Sequence, residues 1–99
     1  MILILGQFRI DPSRLDEVRP ILQAMVDASR SESGCLAYHY SVDLADPSVI
    51  QVREAWRDDA SFAAHAETDH LRHWREQWPR LGIYGRNLQR YTLSSVTDC

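Results

Sequence analysis

Alternating apolar residues at the start of the chain predict a β-strand over residues 2–10. Its even positions are apolar, while its odd positions begin apolar and then become polar. The even positions hold Ile2, Ile4, Phe8 and Ile10, and the odd ones hold Leu3, Leu5, Gln7 and Arg9. Because side chains of a strand alternate between the two faces of a sheet, one face of this strand is apolar and the other is apolar for part of its length.

A helix is expected directly after this strand. Asp11 is a suitable N-cap and Pro12 suits the first helical position. From there to about Ser31, apolar residues recur at three- and four-residue spacing, which places them on one helical face. Pro20 lies inside this helix and is expected to kink it, since proline has no backbone N–H. Gly34 suits a left-handed cap after the helix.

The middle of the chain predicts a β-hairpin. Residues 35–43 form its first strand and residues 49–56 its second, joined by a turn at Asp46-Pro47-Ser48. One face of the first hairpin strand carries Leu36, Tyr38, Tyr40 and Val42, and the other carries Ala37, His39 and Ser41.

Two helical segments and a last strand follow the hairpin. The first segment covers about residues 59–66, and Thr68 or Asp69 caps the second. Apolar positions of the second segment are Leu71, Trp74 and Trp78. Pro79 disfavours helical geometry at Trp78, and the loop beyond it is expected to hold Gly82 and Gly85. The fourth strand is predicted over residues 87–94.

The predicted order of elements is β-α-β-β-α-β, the split βαβ or ferredoxin-like arrangement of an α+β fold. Residues 1–99 are expected to form a single domain. Helices cover only one face of such a sheet, yet the strands carry large apolar side chains on both faces. The second apolar face predicts a homodimer that associates through the sheet.

Composition excludes several classes of function. The net charge is −3, lysine is absent, and all eleven basic residues are arginines interspersed with acids. This distribution gives no basic surface for nucleic acid and no polybasic patch for a membrane. The apolar run from Met1 to Leu5 is too short for a signal peptide or a membrane span, so we expect a cytoplasmic protein. Two cysteines, Cys35 and Cys99, form no disulfide framework.

Glu54, Trp56 and His65 are the candidate functional residues. Glu54 and Trp56 stand two apart on a strand and therefore face the same way. His65 follows on a short helix from which its ring can close over that face. An acid, an aromatic wall and a ring that titrates near neutral pH suit a small-molecule site. The alternative is structural: a rim carboxylate, a core indole and a packed histidine.

A metal site is not expected. His65, His70 and His73 are spaced by five and three residues, which matches no standard zinc pattern. No cysteine or acidic ligand completes a set with them. His70 and His73 are expected to be solvated.

Four short segments together resemble the antibiotic biosynthesis monooxygenase domain, the group that includes bacterial quinol monooxygenases. The resemblance covers nearly the whole chain, and these segments stand in the family's order with gaps of the right size. They are Glu32-Ser-Gly-Cys-Leu-Ala-Tyr38, Glu54-Ala-Trp56, Phe62-Ala-Ala-His65 and Asp69-His-Leu71. The resemblance implies a dimeric α+β barrel, in which the sheets of two ferredoxin-like subunits join and each subunit holds a pocket between sheet and helices.

The resemblance also implies an activity. Similar proteins oxygenate electron-rich quinols, phenols or anthrones with O2 and use no flavin, haem or metal, so we expect no cofactor. In that chemistry His65 is the candidate for proton transfer, and Tyr38 can hold a substrate oxygen. Glu54 can orient a basic partner such as Arg90 or form a structural buried pair. Candidates for the walls of the slot are Trp56, Phe62 and Trp74.

Two alternatives stay open within the same fold. One is a dimer that keeps the pocket and binds a small molecule without turnover. The other is a haem-binding or haem-degrading member. Members of that branch resemble one another in an asparagine on the first strand, where this chain has Gln7, and this departure disfavours haem. Separately, Trp74 and Tyr38 each have a structural alternative, as core packing and as filling of the sheet face.

Overall fold

Four antiparallel strands form one sheet in the computed structural model, which describes all residues 1–99. The strands are β1 (Ile2–Arg9), β2 (Cys35–Val42), β3 (Val49–Trp56) and β4 (Tyr84–Thr92). Their order across the sheet is β2-β3-β1-β4. Sequence neighbours β2 and β3 form a hairpin, whereas β1 lies between β3 and β4. This order confirms the predicted ferredoxin-like fold.

The helices all connect strands. A 3-10 turn (Pro12–Arg14) leads into α1 (Leu15–Arg30). Three short helices then join β3 to β4: α2 (Asp59–Ala66), α3 (Asp69–Glu76) and α4 (Trp78–Leu81). No helix is both long enough and apolar enough to cross a lipid bilayer.

Local side-chain chemistry explains where these helices begin. The Asp58 carboxylate accepts the backbone N–H of Ser61 at 2.8 Å and caps α2, and Thr68 caps α3 by accepting from the N–H of Leu71. Of the two predicted candidates, Thr68 and Asp69, Thr68 is therefore the cap of α3. Helix α1 continues through Pro20 without interruption.

Two expectations for the last connection are wrong. Trp78 begins the separate helix α4, because Pro79 fits the first turn of a helix better than its interior. Gly85 lies inside β4 rather than in a loop, at a φ of 65°. The pairing of β4 with β1 shifts between Gln7 and Arg9, so the sheet absorbs an irregularity that the sequence pattern does not show.

The core lies between the sheet and the helices. The strand residues that face inward pair directly across the sheet: Ile2 with Trp56, Ile4 with Glu54, and Phe8 with Ile50. Trp56 is fully buried, with 0% of its surface exposed. The inward face of α1 completes the core with Val18, Leu22, Met25 and Val26. The one carboxylate in this inner layer is Glu54, at 5% exposure.

The outer face of the sheet changes from apolar to polar along the strands. At one end, four residues pair across all four strands in one row: Ala37, Ala55, Leu3 and Tyr91. Two rows further along, the equivalent positions are Ser41, Gln51, Gln7 and Asn87. The apolar part predicted for this face is therefore confined to one end, and Tyr91 in it is 45% exposed.

Gly6 is the position where β1 and β4 approach most tightly. A Cβ atom there would lie 2.0 Å from the backbone oxygen of Asn87, which cannot move without displacing β4. We expect Gly6→Ala to lower the free energy of unfolding by about 3 kcal/mol, the upper part of the usual overpacking range. Chemical denaturation measures the effect.

Gly82→Ala is the matched control. Gly82 has a φ of 71°, but a Cβ there would meet only the flexible end of the Arg14 side chain. Its cost should be the left-handed backbone penalty of about 1–2 kcal/mol. Equal stability of wild type and Gly6→Ala would contradict the close approach of the two strands.

Candidate active site

A cavity of about 160 Å³ lies between the inner face of the sheet and the helices α2 and α3. Eleven of its seventeen lining residues are hydrophobic. Five of the six predicted site residues line it: Tyr38, Glu54, Phe62, His65 and Trp74. An apolar cavity of roughly 150 Å³ is large enough for one benzene molecule, so this one suits a ligand with a single aromatic ring.

Trp56 does not line the cavity. Its indole packs behind the site, with its ring centroid 4.5 Å from that of His65. The indole Nε1–H donates to Glu54 Oε1 at 3.0 Å. The sequence prediction of Trp56 as a wall is therefore corrected: Trp56 supports His65 and holds the Glu54 carboxyl in place.

Burial dominates the electrostatics of Glu54. Removal from water raises the pKa of this carboxyl from 4.5 to about 7, against the hydrogen bond from Trp56 and the charges of Arg86 and Arg75, which lower it. Near neutral pH the carboxyl is consequently present in both its protonated and ionised forms. The cavity holds an acid that can exchange a proton under physiological conditions.

Glu32 binds two histidines with one oxygen atom. Its Oε2 lies 2.7 Å from His65 Nδ1 and 2.9 Å from His70 Nε2. A carboxylate oxygen only accepts hydrogen bonds, so each of these ring nitrogens is the donor. The sequence expectation that His70 is solvated is wrong, since this contact leaves it half-buried, whereas His73 is exposed.

This arrangement orients the His65 ring. With Nδ1–H committed to Glu32, the neutral ring leaves the lone pair of Nε2 free. Nε2 lies 4.0 Å from Glu54 Oε1, too far for a direct hydrogen bond, so a ligand oxygen beside the pair can bridge both atoms at ordinary hydrogen-bond distance. Burial lowers the pKa of His65, and Glu32 opposes that shift. The ring is therefore a neutral base at neutral pH.

Glu32 is a candidate site residue that no local sequence pattern indicates. It lies 33 residues before His65, in the turn after α1, and only folding brings it to the histidines. Glu32, His65 and His70 also form a group whose ligand atoms lie within 4.8 Å of one another. Carboxylate and imidazole are ligands that Zn2+ accepts. The expectation that no acidic residue joins the histidines is therefore wrong, because folding brings Glu32 to two of them. Two hydrogen bonds already satisfy these atoms, and a metal ion would have to displace both protons.

Aromatic rings form the wall opposite the acid–base pair. Tyr40 stacks on Trp74 at a centroid distance of 6.1 Å and a tilt of 28°, and Phe8 meets Tyr40 edge-on at 5.3 Å. The hydroxyls of Tyr38 and Tyr40 share a hydrogen bond of 2.8 Å. Burial raises the pKa of both phenols, so they remain neutral hydrogen-bonding groups.

Arg90 does not pair with Glu54. Its guanidinium forms a salt bridge with Asp59 and lies over the ring of Phe62, 5.4 Å from the centroid. Register explains the difference: Arg90 pairs with Ile4 at the edge of the sheet, and β1 therefore lies between it and Glu54. Phe62 is thereby held at the cavity wall.

Gln7 lies away from the cavity. It pairs with Gln51 and Asn87 in the polar row of the outer face. The residue that replaces the asparagine of the haem-degrading branch therefore cannot contact a ligand in this cavity.

Comparison with known proteins gives a consistent result. A Deinococcus radiodurans protein described as an antibiotic biosynthesis monooxygenase superimposes with a TM-score of 0.92, covering 100% of this chain and 98% of that chain at 20% identity. At that identity the likeness shows a shared fold.

Two relatives are similar in sequence. Protein sll1783 of Synechocystis, which is uncharacterized, is 28% identical over 95 residues, or 96% of this chain, and the chain spans 65% of its length. YcnE of Bacillus subtilis, whose name proposes a monooxygenase activity without establishing it, is 27% identical over 71 residues, which cover 72% of this chain and 75% of YcnE.

The family assignment follows from residues 1–77, which match the family model named Antibiotic biosynthesis monooxygenase. This match covers most of the chain and includes Glu32, Glu54, His65 and His70. The chain belongs to the antibiotic biosynthesis monooxygenase family.

Proposed function

We propose that this protein is a cofactor-independent monooxygenase that oxidises a small electron-rich aromatic, a quinol or phenol, with O2. The observation that carries the proposal is the pair formed by His65 Nε2 and Glu54 Oε1, 4.0 Å apart in an aromatic cavity. In the proposal, a ring hydroxyl of the substrate bridges these two atoms from the cavity, with its ring against Tyr40 and Trp74.

The proposed first step is a proton transfer. The substrate hydroxyl gives its proton to His65 Nε2, and Glu32 stabilises the imidazolium through Nδ1–H. Protonated Glu54 donates a hydrogen bond to the phenolate that forms. The buried aromatic walls exclude water from the anion.

The electron-rich phenolate then supplies electrons to O2 directly. One oxygen atom enters the ring and the other leaves as water, so that a quinol and O2 give a hydroxylated quinone and H2O. The substrate itself supplies all the electrons, and no external reductant is needed. The protein positions the ring and handles the proton.

We also propose a homodimer joined through the outer face of the sheet. The support is the apolar row at one end of that face, with Leu3 at its centre and Tyr91 45% exposed at its edge. Pairing two such rows would remove this surface from water.

His65→Ala should lower turnover of a quinol by roughly 10²–10⁴-fold, because it removes the base. Oxygen uptake with a panel of quinols measures the rate. His73→Ala is the matched control, since His73 is exposed and does not line the cavity. Retention of most turnover by His65→Ala would contradict its role. Tight quinol binding without oxygen uptake by the wild type would instead favour a binding protein.

The pH dependence of turnover should be bell-shaped. The rate should rise as His65 becomes neutral, at a pH below the 6.5 of an ordinary histidine, and fall as Glu54 ionises near a pKa of about 7. Glu54→Gln should remove the falling limb, because the amide donates a hydrogen bond at every pH. A falling limb that persists in Glu54→Gln would exclude Glu54 as its origin.

Glu54→Gln should also change how stability depends on pH. The pKa of Glu54 is raised on folding. Its contribution to the free energy of unfolding is therefore complete below about pH 4.5 and is lost as the pH rises through about 7. Relative to wild type, the variant should gain up to about 3 kcal/mol over this range, at about 1.4 kcal/mol per pH unit. Denaturant unfolding at several pH values measures the gain. Glu67 is exposed, so Glu67→Gln controls for the change of charge. If the free energies of unfolding of Glu54→Gln and wild type changed in parallel with pH, the raised pKa of the buried acid would be contradicted.

Sedimentation should give a mass of twice the 11.4 kDa chain. Leu3→Asp should produce a folded monomer, because it places a charge at the centre of the apolar row. Gln7→Asp is the matched control on the same strand and face, in the polar row, and should remain dimeric. A wild-type monomer at micromolar concentration would refute this interface.

A further inference from the structure

Two arginines of the cavity lining have no acidic partner. Five of the eleven arginines of the chain pair with a carboxylate, and these are Arg9, Arg14, Arg57, Arg72 and Arg90. Arg75 of α3 and Arg86 of β4 both line the cavity, and neither is among the paired arginines. Both are exposed, which places their guanidinium groups at the mouth rather than the floor.

The cavity is therefore positively charged on one side. Its lining contains one acidic residue, Glu54, which burial keeps partly protonated near neutral pH. Arg75 and Arg86 both act electrostatically on Glu54, since the charge of each lowers the pKa of its carboxyl. In a chain whose net charge is −3, the mouth of this cavity therefore carries a local excess of positive charge.

Guanidinium groups that lack a protein partner are suited to bind an anion. Arginine presents a planar set of N–H donors that matches a carboxylate in a bidentate manner. The aromatic wall of Tyr40 and Trp74 lies in the same cavity and offers a flat surface for a ring. The volume of about 160 Å³ limits that ring system to about one ring.

We infer that the ligand of this cavity is a hydroxylated aromatic carboxylate with one ring, whose carboxylate binds Arg75 and Arg86 while its ring hydroxyl lies between His65 and Glu54. This inference rests on the proposed function for the reacting end of the molecule. It adds a statement about the opposite end of the ligand, where the two arginines favour a negatively charged group.

A matched pair of ligands tests the inference. Gentisate is a quinol that carries a carboxylate, and methyl gentisate has the same ring and hydroxyls without the charge. Binding is measured without oxygen, by calorimetry or quenching of tryptophan fluorescence, so that turnover does not enter the result. Wild type should bind gentisate roughly 10- to 100-fold more tightly than its ester, the size expected for hydrogen bonds to a charged group. This preference should shrink as salt is added.

The double variant Arg75→Gln/Arg86→Gln should lose that preference and bind both ligands about equally. Arg19→Gln/Arg72→Gln is the control, because it removes the same charge from two arginines that do not line the cavity. Circular dichroism checks that both variants fold, and the salt dependence of wild type gives an independent measure.

The outcomes separate this inference from the proposed function. Equal or weaker binding of gentisate by wild type, binding of neither ligand, or a preference that survives in Arg75→Gln/Arg86→Gln would overturn the inference. Preferential binding of gentisate without oxygen uptake would support the inference and refute the monooxygenase. Oxygen uptake with neutral quinols alone would support the monooxygenase and refute the inference.

Discussion

A single carboxylate oxygen connects the turn after α1 to the two helices that cover the site. Glu32 Oε2 accepts hydrogen bonds from His65 on α2 and from His70 on α3. Both helices are only eight residues long, and such short helices are unstable without tertiary contacts. The same bond that holds α2 in place also fixes the tautomer of His65. Structure and chemistry therefore depend on one contact.

The sheet supplies the second half of the site through its register. Glu54 stands between Ile4 and Tyr38 across the strands, with Trp56 two residues further along β3. A carboxyl group in that position is costly to ionise, and the Trp56 indole gives it one hydrogen bond. The alternation that buries the core thus also produces an acid with a pKa near neutrality. No separate element is needed to create it.

Much of this architecture could be predicted from local patterns. Period-two alternation placed β3 at 49–56, α2 begins at residue 59 as predicted, and Thr68 caps α3 as one of its two predicted candidates. Patterns of this kind act over a few residues, so a single chain displays them directly. The same reasoning identified His65 and Glu54, because they share the inward face of neighbouring elements.

The remainder depended on long-range contacts that no local pattern contains. Glu32 meets its histidines across 33 and 38 residues, and Asp59 rather than Glu54 takes Arg90 across 31. Trp56 was placed on the correct face, but its depth behind His65 depends on how α2 packs over it. Gly85 entered β4 because the strand tolerates a bulge with a positive φ, which a glycine signal alone assigns to a loop.

Charge at the mouth and proton transfer at the floor of the cavity are not independent. Arg75 and Arg86 favour the ionised form of Glu54. A carboxylate bound to both guanidinium groups would offset part of their positive charge. This loss of nearby positive charge would disfavour ionisation of Glu54. An anionic ligand would therefore help to keep Glu54 protonated, the form that can donate a hydrogen bond to the phenolate. In this way, recognition of one end of the substrate would prepare the acid at the other end.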